Sequence, residues 1–258
     1  MATIKSCIAA LTRGYETFDK YSDLIKRNKA IETHLNDKTI DILLFHEGNI
    51  THEHQNLIAK ETPLLTILFV NILGGAFKNE KASVAFDKET ARFSLSYRHM
   101  CSFWFVDFWN FVKEYDYLLR IDEDCFVECN LDKIFVSLQQ YTFIAGHQGH
   151  DAGFVTKGLN AFSLAFIQRH LNYPFKSRTP KSPSGPYTNL FALDLKIRNN
   201  EIFQQYIADV DKSNYIYERR WGDLPLWGEM IYYIFGTSNI MIDKNIKYFH
   251  GSHRAQVN

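Results

Sequence analysis

Two short apolar runs, with an amphipathic segment between them, constrain the fold of this chain most strongly. The runs, residues 4–11 and 41–46, are too short for buried helices and lack a polar alternation, which is typical of strands covered on both faces. Between them, residues 16–35 place apolar side chains at roughly the period of an α-helix. This order predicts an α/β fold with a parallel sheet and with ligands at the carboxyl ends of its strands.

Length and composition favour a folded protein that does not bind nucleic acid. The chain has 258 residues, which is typical of one large domain or at most two small ones. Hydrophobic residues make up 46% of the chain and charged residues 22%, which excludes a disordered protein. The 29 basic and 29 acidic residues give a formal net charge of zero, so no basic excess attracts polyanions.

No segment of the sequence predicts a membrane span or a secretory leader. The longest apolar stretch, residues 62–76, is shorter than the roughly 20 residues that cross a bilayer, and the apolar run at 7–11 is too short for a signal peptide. We therefore expect a soluble, cytoplasmic protein with reduced thiols. A zinc site built on Cys125 and Cys129 is the alternative use of the cysteines.

Three acids follow an apolar strand in the middle of the chain. Residues 115–121 read as a strand, and Asp122, Glu123 and Asp124 come directly after it. Carboxylates on one turn supply hard oxygen ligands for Mg²⁺ or Mn²⁺, which keep open positions for substrate phosphates. The alternative is a solvated acidic turn that caps the next helix.

Two further segments could contact phosphate. Thr12, Arg13 and Tyr15 follow the first strand, where a guanidinium and an aromatic ring could hold a phosphate and a base. Arg98 lies near the start of a predicted helix over residues 97–114, and a helix start with an Arg favours bound phosphate. Each segment could equally be an ordinary loop or helix start.

Candidate contacts for a second substrate occur later in the chain. His147 and His150 follow a short predicted strand and could bind acceptor hydroxyls. The segment 217–223 packs two basic, two acidic and two aromatic residues together. A Pro-rich stretch at 173–187 predicts a long surface loop, of a kind that often binds ligands.

Three of these motifs, in the same order and at the same spacing, resemble the fungal α-1,2-mannosyltransferases of the Golgi. The matching stretches are SYRHMC at 96–101, YDYLLRIDED at 115–124, and YERRWGDLP at 217–225 with YFH at 248–250. The resemblance implies a single GT-A domain over residues 1–258, with a Rossmann-like, mostly parallel sheet flanked by helices. Residues 1–125 would bind the nucleotide sugar and residues 126–258 the acceptor.

The resemblance also implies a metal and donor site. Asp122, Asp124 and His250 stand at positions of metal-binding or acidic motif residues, and imidazole with carboxylate suits Mn²⁺, with Mg²⁺ as the other candidate. Asp122 and Glu123 would also contact the donor. The arginine at 98 would neutralise charge on the diphosphate.

Catalytic and acceptor roles follow from the same match. Tyr97 corresponds to a tyrosine near the reacting sugar of the donor, and Glu218 and Asp223 would act on the acceptor side. Trp221, in the same motif, would contact the acceptor.

The chain departs from the family pattern at three points. Phe191 stands where the family has a carboxylate proposed as nucleophile or stabiliser of the sugar. A pair, Arg219 and Arg220, replaces a single Arg, so the register of Glu218 could shift by one. The membrane anchor of the fungal enzymes has no counterpart, which suggests a soluble bacterial or viral relative.

Together these patterns predict a metal-dependent, retaining glycosyltransferase. It would transfer a sugar from GDP-mannose or a UDP-sugar to a glycan or glycoprotein. A sugar nucleotidyltransferase is one alternative, although only Gly14 follows the first strand where that class generally needs a Gly-rich phosphate loop. A non-catalytic carbohydrate-binding protein is the other, because many aromatic side chains could stack on sugars.

Overall fold

A seven-stranded sheet forms the centre of the computed structural model, which describes residues 4–171 and 184–257. The strands are β1 (Ser6–Leu11), β2 (Asp41–His46), β3 (Thr66–Asn71), β4 (Tyr117–Ile121), β5 (Cys125–Val127), β6 (Phe143–Ala145), β7 (Gln148–Gly149), β8 (Gly185–Pro186), β9 (Leu190–Asp194), β10 (Ile240–Ile242), β11 (Tyr248–His250) and β12 (Ala255–Val257). The α-helices are α1 (Ser22–His34), α2 (His52–Glu61), α3 (Leu95–Ser102), α4 (Asp132–Ser137), α5 (Leu159–Leu171), α6 (Glu201–Ser213), α7 (Tyr215–Glu218) and α8 (Asp223–Met230).

The large sheet is mostly parallel, as predicted. Its strand order is β10-β6-β9-β4-β1-β2-β3. Only β9 runs against its neighbours, pairing antiparallel with β4 on one side and β6 on the other. The α/β fold class is therefore confirmed, while the reversed strand within the sheet was not predicted.

The apolar runs identified in the sequence form the interior of this sheet. β1 and β2 pair in parallel, and β4 is buried along its whole length. Successive side chains point to opposite faces, so Ala9 joins one apolar core and Ile8 joins the other. Helices must cover both faces, which explains why these strands carry no polar alternation.

The helix predicted over residues 97–114 is wrong in its second half. α3 ends at Ser102, and the chain continues through a π-helical turn at Phe103–Asp107. Phe103, Trp104 and Phe105 are all buried. α8 likewise buries every residue from Asp223 to Met230, so burial of consecutive residues shows that both segments are enclosed by the core on all sides.

Strand direction brings distant polar segments to one edge of the sheet. β1 and β4 are parallel neighbours, so Thr12 and Asp122, which follow them, lie at the same edge. The antiparallel β9 begins there, and the Asp122 amide donates to the carbonyl oxygen of Asn189 at 2.9 Å. A separate three-stranded sheet, ordered β12-β11-β5, places His250 next to the segment that contains Asp124.

Within the two described ranges, every helix is too short or too polar to cross a membrane. Residues 173–183, which make up most of the Pro-rich loop predicted at 173–187, lie outside the described part of the chain.

We expect Trp227→Ala to lower the free energy of unfolding by about 3–5 kcal/mol, because it removes a large buried side chain from the aromatic core. The Trp227 ring lies 5.4 Å from the rings of Phe105 and Phe191 and 5.7 Å from that of Phe203. Val136→Ala is the control, since Val136 is 60% exposed and its truncation should cost at most about 0.5 kcal/mol. Urea titrations that give equal losses would contradict this assignment of the core.

Candidate active site

Two clefts adjoin at the carboxyl edge of the sheet, and Met100 lines both. The first, which we call the β1 cleft, has a volume of about 360 Å³ and includes Thr12, Arg13 and Glu123 in its wall. The second, the β4 cleft, has a volume of about 410 Å³ and includes Asp122, Asp124 and His250. The acids after β4 therefore divide between the two clefts.

The β1 cleft brings together three of the residues predicted to bind the donor, Thr12, Arg13 and Glu123, with Tyr15 in contact with Glu123. The Thr12 hydroxyl donates to Glu123 Oε2 at 2.6 Å, and the Tyr15 hydroxyl donates to Glu123 Oε1 at 3.3 Å. Burial raises the pKa of Glu123, and burial beside this acid raises the pKa of Tyr15 to about 12. Arg13 lies on the same wall, so the cleft offers both a cation and hydrogen-bonding groups.

The turn after β1 approaches its neighbour closely. The Gly14 amide donates to Asn49 Oδ1 at 3.0 Å. A Cβ atom at position 14 would lie 2.1 Å from the backbone oxygen of Asn49, so any side chain there would force the turn apart. Gly14 thus allows the segment with Thr12 and Arg13 to fold against the loop after β2.

Arg120 organises the floor of the β4 cleft. Its Nε and Nη2 donate to the two oxygens of Asp122 at 2.7 and 3.0 Å, and its Nη1 donates to Asp223 Oδ2 at 2.5 Å. The guanidinium is 5% exposed and lies 4.5 Å from the Trp104 ring. One buried cation therefore holds two carboxylates. Burial nevertheless raises the pKa of Asp122, against the opposing effect of Arg120.

Asp124 and His250 form the second polar group of this cleft. His250 Nε2 lies 3.5 Å from Asp124 Oδ2, and burial lowers the pKa of the imidazole, which favours its neutral, ligating form. On the other side of the ring, Nδ1 lies 2.9 Å from the Asn189 amide, which Tyr248 fixes through a 2.6 Å hydrogen bond. In this arrangement Nδ1 accepts from the Asn189 amide nitrogen, so Nε2 carries the proton, and binding of a metal through Nε2 requires the Asn189 amide to turn so that Nδ1 donates to its oxygen. A carboxylate and an imidazole are chemically suited to a divalent metal.

Of the three predicted metal ligands, the structure brings two within ligand distance of each other. Asp124 and His250 form a group with Cys125 in which all the ligand atoms lie within 4.8 Å of one another. Asp122 lines the same cleft, but both of its oxygens bind Arg120 instead.

The residues predicted for catalysis separate in the structure. Tyr97 and Asp223 line the β4 cleft. Glu218 is not among the residues that line either cleft, and its carboxylate lies 3.5 Å from Arg219 Nε. Its backbone carbonyl accepts from the Asp87 amide at 2.8 Å. The prediction of a catalytic Glu218 is therefore not supported by its placement.

Two predicted ligand contacts prove to be structural. Arg98 is 0% exposed, and its guanidinium donates to the carbonyl oxygens of Thr90 and Tyr217, so it cannot also contact a diphosphate. Trp221 is likewise fully buried, with its indole nitrogen donating to the Lys157 carbonyl at 3.1 Å. Both residues lie in stretches that resemble mannosyltransferase motifs, but their side chains are packed in the protein interior.

The predicted acceptor histidines lie outside the clefts. His147 and His150 are exposed, and neither lines the β4 cleft. The next residue, Asp151, does line it, and burial raises the pKa of its carboxyl. The link of His147 to the cleft is through the backbone: its carbonyl oxygen accepts a hydrogen bond from the amide of Tyr187, a lining residue, at 2.9 Å.

Sequence reasoning missed a network around Arg220. This side chain donates to Asp151 Oδ2 at 2.8 Å and to the Tyr97 hydroxyl at 2.5 Å. Its φ of +65° is unusual for a residue with a side chain, and such strain is often found at functional sites. Gly222 leaves room for the network, since a Cβ there would lie 2.8 Å from Asp151 Oδ2.

Some of the missed residues left a signal in the sequence. Arg120 lies within a stretch compared with the mannosyltransferase motifs, and Arg220 belongs to the paired arginines. Asp151 directly follows the predicted acceptor residue His150, and the pairing of β7 with β8 brings its segment next to that of Tyr187.

Phe191 lies in the core and not in the cleft. It is 2% exposed, pairs with Arg120 across β4 and β9, and stacks on Phe143 with ring centroids 6.0 Å apart. At the position where the fungal family has a carboxylate, this chain thus has an aromatic side chain that belongs to the core.

Comparison with known proteins gives consistent results at the levels of family, sequence and fold. The family model described as "Domain of unknown function (DUF7164)" matches residues 10–179. The probable mannosyltransferase MNT3 of Candida albicans is 25% identical over 174 residues, which cover 61% of this chain and 44% of that protein. The chain thus spans less than half the length of this curated relative.

Solved structures share the fold, and two of them are described here. Core-mannan synthase A (CmsA/Ktr4) from Aspergillus fumigatus, in its Mn/GDP form, superposes with a TM-score of 0.78 at 17% identity, covering 96% of this chain and 75% of its own. The mannosyltransferase Ktr4p from S. cerevisiae in complex with GDP gives 0.77 at 18% identity, covering 96% and 71%. The expected resemblance to fungal mannosyltransferases and the GT-A fold are confirmed.

We expect Arg120→Gln to lower the free energy of unfolding by about 3–5 kcal/mol, because it leaves the Asp122 and Asp223 carboxylates without their shared cation. Arg169→Gln is the matched control. Arg169 is 62% exposed and lies 3.4 Å from Asp209, so its loss should cost no more than about 1 kcal/mol. Denaturant titrations would measure both variants, and a loss for Arg120→Gln as small as that of the control would contradict the role given to this cation.

Proposed function

The chain belongs to the DUF7164 family, and we propose that it is a metal-dependent glycosyltransferase whose donor is a GDP-sugar. The observation that carries the proposal is the junction of the two clefts at Met100. One cleft offers Thr12, Arg13 and Glu123, and the other offers Asp124 and His250. A nucleotide diphosphate sugar has the matching parts, a nucleoside at one end and a sugar at the other, with a diphosphate between them.

The donor nucleoside would occupy the β1 cleft. Glu123 can accept hydrogen bonds from ribose hydroxyls or base N–H groups, while Arg13 supplies positive charge for the phosphates. The choice of guanine rests on similarity, since two of the solved structures that share the fold, both of mannosyltransferase-type proteins, contain GDP. Mannose is the corresponding choice for the transferred sugar.

Asp124 and His250 would hold a divalent ion at the diphosphate. The ion would neutralise charge that grows on the diphosphate as the glycosidic bond breaks. Arg120 and Arg220 lie buried in the same cleft, but their charges are already balanced by Asp122, Asp223 and Asp151, so the ion would supply the charge that meets the diphosphate.

Tyr97 and Asp223 would orient the sugar and the acceptor hydroxyl. The Tyr97 hydroxyl is already held by Arg220, and the Asp223 carboxylate by Arg120. A carboxylate paired with Arg is a good hydrogen-bond acceptor for a sugar hydroxyl but a weak general base. We therefore assign Asp223 to orientation of the acceptor, which we propose to be a glycan or glycoprotein.

The transfer would retain configuration without a covalent intermediate on the enzyme. The bond from the anomeric carbon to the diphosphate oxygen breaks while a bond to the acceptor oxygen forms on the same face of the sugar, and the proton of the acceptor hydroxyl passes to the departing diphosphate oxygen. A covalent path would need a nucleophilic side chain. The family position for a carboxylate is Phe191 in this chain, and its side chain is enclosed by the core, which supports transfer without a covalent intermediate.

We expect GDP to bind more tightly than UDP and only weakly without Mn²⁺, as measured by titration calorimetry. Asp124→Asn and His250→Gln should each weaken metal-dependent GDP binding at least about tenfold, because each removes a ligand. Asp19→Asn and His52→Gln, at exposed positions outside the clefts, are the matched controls. GDP binding that does not depend on metal, or controls that lose as much affinity, would contradict the proposed site.

Screening of GDP-sugars and UDP-sugars for hydrolysis would then identify the donor. Release of GDP from a GDP-sugar supports a transferase. Sugar binding without metal-dependent nucleotide binding would instead indicate a carbohydrate-binding protein, and formation of a nucleotide sugar from a sugar phosphate would indicate a nucleotidyltransferase.

We expect no glycosyl-enzyme adduct in the intact mass of protein quenched during turnover, because no nucleophilic carboxylate stands at position 191. Phe191→Glu should lower stability without creating an adduct, since the new carboxylate would be buried without a partner. A mass increase of one sugar on the wild-type protein would overturn this prediction.

A further inference from the structure

The group of ligand atoms beside the β4 cleft contains a thiol. Asp124, Cys125 and His250 each place a ligand atom within 4.8 Å of the other two. Cys125 and His250 are direct partners in the antiparallel pairing of β5 with β11, so their side chains share one face of the small sheet. Asp124 is next to Cys125 in the chain and lies 3.5 Å from His250.

A hydrogen bond from outside the group holds the Asp124 carboxylate in place. The Ser252 amide donates to Asp124 Oδ2 at 2.9 Å, which ties the carboxylate to the turn after β11. Cys125 is fully buried, while Asp124 and His250 line the cleft. The thiol therefore lies behind the two residues that face the cleft.

We propose that Asp124, Cys125 and His250 form a three-ligand site for a thiophilic divalent cation of the Zn²⁺ class, with the Cys125 sulfur as a ligand. This inference rests on the metal site of the proposed function and names the class of ion that it prefers. Cys129, which the sequence alone suggested as the zinc partner of Cys125, is not a member of the group found among residues 4–171 and 184–257.

The distances allow these side chains to close on one ion. Zinc binds Cys at about 2.3 Å and His or carboxylate at about 2.0–2.2 Å, so tetrahedral ligand atoms are about 3.4–3.6 Å apart. Movement of each side chain by about 1 Å or less would bring atoms that are within 4.8 Å into this range. Three protein ligands leave a fourth position, as catalytic zinc sites do, and the cleft gives a substrate oxygen access to it.

The donor set determines which ion binds best. Thiolate and imidazole favour Zn²⁺, Co²⁺ and Cd²⁺, while Mn²⁺ and Mg²⁺ favour oxygen ligands. The acid that would have completed an oxygen-rich site, Asp122, binds Arg120 with both oxygens. Cys125 thus supplies the third donor in its place, and its proton leaves to solvent when the ion binds.

Titration of the full chain with Co²⁺ tests this directly. A thiolate bound to Co²⁺ produces a charge-transfer absorption band that oxygen and nitrogen ligands do not produce. We expect the band to appear with one equivalent of Co²⁺ and Zn²⁺ to remove it by displacement. Failure of Co²⁺ to bind, or Co²⁺ binding without the band, would overturn the proposal without the need for any variant.

Cysteine variants identify the sulfur involved. Cys125→Ser should abolish the band and weaken Co²⁺ binding about 10- to 100-fold, while Cys129→Ser, the matched control, should leave both unchanged. Circular dichroism checks folding, and Cys125→Ala serves if the Ser variant is unstable. A band that survives in Cys125→Ser, or disappears in Cys129→Ser, would show that the assignment is wrong.

The result is separable from the proposed activity. Metal-dependent GDP binding without the band would leave the transferase proposal intact and reject the thiol ligand. A band without GDP binding would support the thiol ligand and count against the transferase.

Discussion

The pairing of one buried arginine with two acids underlies the architecture of the candidate site. Arg120 joins Asp122, two residues further on, to Asp223, which is 103 positions away and begins α8. The carboxylates of Asp122 and Asp223 would repel each other in the floor of the cleft if the cation between them were removed. The Trp104 ring beneath the guanidinium belongs to the aromatic core, so the charged floor of the cleft is anchored to the apolar interior.

This arrangement also determines how the remaining polar groups are used. Because Asp122 is engaged on both oxygens, the groups that face the cleft beside it are Asp124 and His250. Glu123, which lies between Asp122 and Asp124 in sequence, faces the β1 cleft and accepts a hydrogen bond from Thr12. Three consecutive acids therefore serve three different environments, which their spacing alone did not indicate.

The sequence was sufficient where local pattern and strand direction control the outcome. Unbroken apolar runs identified β1 and β2, and Thr12 and Glu123, each predicted as a donor contact at the end of a strand, meet at one edge of the sheet although they are 111 positions apart. Sequence was insufficient where burial depends on tertiary packing. Arg98 and Trp221 stand in motif-like stretches, yet the core encloses both. Asp151 enters the cleft because β7 pairs with β8, a contact that no local pattern encodes.

The link between β5 and β11 has a consequence for how the protein acquires its cleft. The Ser252 amide and the Asp124 carboxylate that it binds are 128 positions apart, so their contact closes a very long loop. The entropy lost on closing a loop rises only slowly with its length, and the parallel pairing of β1 with β4 closes a loop of similar length. The β4 cleft therefore depends on the same kind of long-range contact that builds the central sheet. A cation that bridged the two segments would bind the folded chain in preference to the unfolded one and would thereby stabilise the native state.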